Sequence, residues 1–92
     1  MARTLHLMIE GRVQGVGYRQ WVSHQARSLS LTGWVRNRID GRVEAMVSGS
    51  GAKVEQLIEA ARRGPRLAVV SNIECQDRVE ENWPDFSVRP TA

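Results

Sequence analysis

Ninety-two residues make room for one domain, residues 1–92, with a single modest core, and two domains are excluded. Thirteen basic residues, all but Lys53 arginine, face ten acidic ones; the net charge of +3 and a pI near 10.0 favour small anionic ligands or weak nucleic-acid contact, while no polybasic tail is present. Cys75 is the only cysteine, which excludes an internal disulfide and a CxxC metal cage, and no stretch has the length of a membrane span or the pattern of a signal peptide, so a cytoplasmic protein is expected.

Leu5, Leu7 and Ile9 alternate with His6, Met8 and Glu10, the period of two of a half-buried strand that runs at most from Thr4 to Val13. His6 is expected on its solvent face. The stretch Gly11-Arg12-Val13-Gln14-Gly15-Val16-Gly17-Tyr18-Arg19 then joins this strand to a helix. Glycines at positions 11, 15 and 17 keep Cβ atoms away and permit positive φ, so successive backbone N–H groups can turn inward around one anion. The helix that follows adds its unpaired first-turn donors and the positive end of its dipole. Arg19 sits in that first turn, where its guanidinium can close over the same anion. An ordinary connection with a solvated arginine fits the same residues, and on them alone both readings stand.

From Tyr18 the period changes. Tyr18, Trp21, Val22, Gln25, Ala26 and Leu29 form the apolar stripe of an amphipathic helix, and His24 lies off it as a surface residue. Thr32 to Ile39 and Arg42 to Ser48 read as strands flanking Asp40-Gly41. Val35 and Ile39 share odd parity with Val43, Ala45 and Val47, so the apolar faces coincide only across a three-residue loop, Ile39-Asp40-Gly41, pairing 38 with 42 and 37 with 43. A type I turn with Gly41 left-handed and a bulge follows.

Gly49-Ser50-Gly51 is a turn, with Ser50 a candidate N-cap for a helix whose stripe is Val54, Leu57, Ile58 and Ala61 and whose stop is Gly64-Pro65. Val69, Ser71, Ile73 and Cys75 alternate in a fourth strand, with Cys75 expected as a small buried hydrophobe. Phe86 to Arg89 forms a short fifth strand at an edge.

This order predicts an α+β fold, the ferredoxin-like βαββαβ sandwich: a four-stranded antiparallel sheet, plus the short fifth strand, with two helices on one face. The first and second strands run parallel across a right-handed crossover. Asn37 then ends the second strand at the same sheet edge as the glycine loop, on the face of Val35. Its carboxamide suits holding a water in line with a captured phosphorus, and it equally suits beginning the hairpin turn.

Gly11 through Arg19, together with Gly33-Trp34-Val35-Arg36-Asn37, Gly41-Arg42-Val43 and Gly49, resembles the acylphosphatase family. The likeness covers essentially the whole chain; Tyr18 stands where members carry phenylalanine or tyrosine, and Asp77 to Trp83 is more variable ground. The resemblance implies hydrolysis of acyl phosphates to a carboxylate and inorganic phosphate, with no metal, no cofactor and no covalent intermediate. It implies that Arg19 and Asn37 are catalytic, Arg19 binding the phosphoryl oxygens and Asn37 orienting the attacking water. It also implies that the backbone N–H groups of Gly15, Val16, Gly17, Tyr18 and Arg19 cradle the phosphate. The expected partner is a small acyl phosphate or inorganic phosphate, bound by a monomer with no membrane or nucleic-acid role. The alternative is an RNA-binding module using the face of His6, Met8, Trp34, Arg36, Arg38 and Met46, although the first and third strands carry no Phe or Tyr.

Overall fold

Alternation along the first strand, β1 (Ala2–Arg12), sets the layers. Leu5, Leu7 and Ile9 are fully buried, and the residues between them turn to the other side of the sheet. The computed structural model describes residues 2–92. After β1 come α1 (Tyr18–Ser28), β2 (Thr32–Asn37), β3 (Val43–Ser50), α2 (Gly51–Arg63), β4 (Val69–Asp77) and β5 (Phe86–Val88). The sheet order is β4-β1-β3-β2-β5, antiparallel except for the parallel β2–β5 pair. This is the expected ferredoxin-like order, with β3 between the parallel strands β1 and β2, and with a fifth strand added at one edge.

The core lies between sheet and helices. Val22 and Ala26 of α1 and Val54, Leu57, Ile58 and Ala61 of α2 meet Leu5, Leu7, Ile9, Val35, Val43, Ala45 and Val47. Ser50 occupies the N-cap of α2 without a side-chain capping bond. At the other end Gly64 takes φ 64, and its N–H reaches the carbonyl of Ala60 at 2.9 Å. The next carbonyl, that of Ala61, would need the N–H of residue 65, which is proline and has none. The hydroxyl of Tyr18 donates to it instead, at 2.8 Å, so one side chain joins the start of α1 to the end of α2.

The hairpin register is the one that parity demands. Asn37 pairs with Val43, Arg38 N–H donates to Arg42 O at 2.7 Å, and Gly41, at φ 98, donates to Arg38 O at 3.1 Å. Asp40 braces the loop by accepting from the backbone and guanidinium of Arg42.

Edge effects overturn two expectations in β4. Strict alternation in β4 breaks at Ser71: Asn72 faces Glu10 and Val70 faces Gly11, which leaves Ser71 as a bulge. Val70 therefore packs on the core and Val69 is 60% exposed. Cys75 is exposed rather than buried, because β4 is an edge strand of which only Ile73 is buried. His6 is likewise not a free surface residue. It is half-buried, with Nε2 2.6 Å from Glu44 Oε2.

The helix-free face is not open. To reach β5 from β4 the chain must cross the sheet from one edge to the other. On the way, Arg78 N–H donates to Thr4 O at 2.9 Å and Glu81 N–H to Thr4 Oγ1 at 3.3 Å. Thr4, Ser48, Met46 and Trp34 are all buried on this side, and the guanidinium carbons of Arg36 and Arg89 each lie 4.8 Å from the Trp34 ring centroid.

Candidate active site

Val13, fully buried, anchors the chain as it leaves β1. Gln14 then hooks it to the hairpin, its Nε2 donating to the carbonyl oxygens of Arg38 (2.8 Å) and Arg42 (2.9 Å). Gly15 at φ 74 and Gly17 at φ 77 are both left-handed, and an added Cβ at either would meet open space, so glycine is required for backbone conformation rather than for room. Between them Val16, partly buried, packs against the core.

Gly17 is the N-cap of α1. Among the described residues no side chain caps this helix, and no acidic residue lies in its first turn, so its first donors have no acceptor from a capping side chain there. Arg19 is half-buried there, a cation beside the positive end of the dipole. The side chain of Tyr18 points away to Ala61, and burial pushes its hydroxyl pKa up, which keeps it a neutral donor.

Val13, Gln14, Gly15, Gly17, Tyr18, Arg19, Gln20 and Asn37 line one hollow of about 100 Å³. At about 30 Å³ per water, that holds a few small atoms, the scale of a tetrahedral oxyanion. Asn37 joins it from β2, with its Oδ1 buried and making no hydrogen bond among the described residues. The structure thus brings Gly15, Gly17, Tyr18, Arg19 and Asn37 together at one place, with Val16 in the loop but off the lining. Gln14 and Gln20 also line it and were not among the residues singled out in the sequence. Gln14 could not have been found from spacing, since its partners are main-chain carbonyls 24 and 28 positions away. His24, on α1, is exposed. A larger depression of about 400 Å³ lies between the helices, lined by Gln25, Leu29, Glu55, Glu59 and neighbours, and shares no residue with the loop. Among the described residues no group of three or more His, Cys, Asp or Glu side chains could hold a metal ion, and no helix is long and apolar enough to cross a membrane.

The family model for acylphosphatase matches residues 5–88. The chain belongs to the acylphosphatase family. An acylphosphatase of Acidiphilium cryptum is 57% identical over 68 residues, covering 74% of this chain and 75% of its own. One of Rhodospirillum rubrum is 44% identical over 89 residues, covering 97% and 98% respectively. The solved structure of an acylphosphatase from Coxiella burnetii superposes with a TM-score of 0.93 at 39% identity, covering 96% of this chain and 93% of that one.

Proposed function

We propose that the chain hydrolyses acyl phosphates, with Arg19 and Asn37 as its catalytic side chains and with no metal, cofactor or covalent intermediate. The observation that carries this reading is that the glycine loop, Arg19 and Asn37 line one small hollow, and that Asn37 carries a buried Oδ1 with no hydrogen-bond partner among the described residues. Backbone N–H groups of Gly15 through Arg19 and the Arg19 guanidinium hold the phosphoryl oxygens. The Asn37 carboxamide hydrogen-bonds to a water and directs the water's lone pair at phosphorus. The water oxygen bonds to phosphorus, the bond from phosphorus to the acyl oxygen breaks, and the carboxylate leaves with that electron pair. A phosphoryl oxygen takes the water's proton.

A carboxylate is a good leaving group, so positioning and charge stabilisation carry the work and no protein base is needed. The domain, residues 1–92, acts as a monomer on a small substrate, and a reducing, cytoplasmic setting suits its one unpaired thiol. An RNA-binding role for the sheet is disfavoured, because Trp34 is 8% exposed and already stacked by Arg36 and Arg89.

Steady-state hydrolysis of an aryl acyl phosphate, with a chelator present and with inorganic phosphate as competitor, tests the roles separately. Arg19→Ala is expected to abolish both turnover and phosphate competition. Asn37→Ala is expected to keep phosphate affinity and to lose roughly 10²- to 10³-fold in kcat. Unchanged turnover in the asparagine variant removes it from the mechanism, and activity lost to the chelator removes the metal-free one.

A further inference from the structure

Asn37 stands at the very end of β2, where its strand partner is Val43 and the next residue already belongs to the loop. Its backbone is held by Arg38 N–H to Arg42 O at 2.7 Å and by Ala92 N–H to Asn37 O at 3.0 Å, yet a carboxamide that aims a water must also be fixed in direction, which depends on how the residues beside it are anchored. The residues on either side of Asn37 point to the opposite face of the sheet, away from the hollow. There Arg36 Nε lies 2.7 Å and Arg38 Nη1 3.3 Å from the same oxygen, Glu44 Oε1, while Glu44 Oε2 takes His6 Nε2 at 2.6 Å.

One carboxylate on β3 therefore grips the residues before and after Asn37 and is itself fixed to β1. The group is sheltered: the side chains of Glu44, His6, Arg36 and Arg38 are 12%, 16%, 27% and 32% exposed. A charge-assisted cluster withdrawn from water in this way is stronger than a surface ion pair, and its geometry is coupled across members. Arg38 is held twice, by Glu44 through its guanidinium and by Gln14 through its carbonyl, so the clamp on the far face and the loop on the near face share a residue.

We propose that Glu44 is a positioning residue for Asn37, acting through Arg36 and Arg38 from the side of the sheet remote from the substrate. The inference rests on the role of Asn37 given above. With Glu44 neutralised, the Arg36 and Arg38 side chains lose their anchor and the attacking water is aimed poorly, while the loop amides and Arg19 keep their anion, because Gln14 holds the loop to the Arg38 carbonyl, on a backbone that Arg38 N–H to Arg42 O fixes without Glu44.

Glu44→Gln, checked by urea unfolding to be folded at the assay temperature, is expected to lower kcat roughly tenfold to hundredfold, the scale of an ångström-level misplacement, with the inhibition constant of inorganic phosphate unchanged. In an Asn37→Ala background the same substitution is expected to cost nothing more, since the group it positions is gone. Arg38→Lys, a milder change that keeps the charge and loses the fork, is expected to show the same split if Glu44→Gln does not fold. Unchanged kcat in Glu44→Gln, an equal further loss in the Asn37→Ala background, or a weakened phosphate constant would each overturn the proposal. Asn37→Ala alone separates the two readings: if its kcat is normal the role of Asn37 fails, and if it is low while Glu44→Gln is normal only the positioning role fails.

Discussion

Tyr18 lines the hollow and sends its side chain into the core. Its hydroxyl replaces the hydrogen bond that Pro65 withholds from the Ala61 carbonyl, in a fully buried position. Tyr18→Phe keeps the ring and leaves that carbonyl unpaired, so a loss of about 1–3 kcal/mol in unfolding free energy is expected in urea titration, with phosphate inhibition little changed. Stability equal to that of the parent would mean that the carbonyl finds another donor. That the loop glycines, Arg19 and Asn37 meet at one hollow was legible, because they sit in two short blocks that the strand order brings to the same sheet edge. The roles of the Tyr18 hydroxyl and the Gln14 amide were not, since each reaches a carbonyl that is distant in sequence and that local pattern does not mark.

Among the elements, parity served the hairpin and failed in β4 for the same reason. Alternation is reliable only while the ladder is unbroken, and β3, paired on both sides, keeps its register from Val43 to Ser50. β4 pairs on one side only, and the bulge at Ser71 reverses which residues face inward. Ile73 and Cys75 then lie on the same face as Ile9 and Leu7, but the cover ends between them and Cys75 is left exposed. Cys75 is therefore expected to take up one equivalent of a thiol reagent in the native protein without denaturant. Partial burial pushes its thiol pKa up, so the reaction is expected to be slower than that of free cysteine at the same mildly alkaline pH. Modification that waits for urea would restore the buried assignment.

At the scale of the whole molecule, strand order and helix placement were legible from the sequence of periods, two then 3.6, repeated with one hairpin between. The crossing from β4 to β5 was not, because residues 78–85 are mostly polar and carry no period, and a face predicted to be open is in fact covered. The charged cluster on that side links three strands, and its effect on stability has a definite sign. Burial alone would raise the pKa of Glu44, but the hydrogen bonds from His6 and Arg36 outweigh it and hold the carboxyl below the ordinary carboxylate value. The folded state thus binds this proton less tightly than the unfolded chain. The stabilisation is fully present above the ordinary carboxylate range and is lost as the pH falls through the lowered folded value. Urea unfolding of the parent and Glu44→Gln from about pH 7 down to about pH 2 is expected to give two curves that are separated at neutral pH, with the parent higher, and that converge in acid. Curves that stay parallel throughout would show that the carboxylate charge contributes nothing to holding β1, β2 and β3 together.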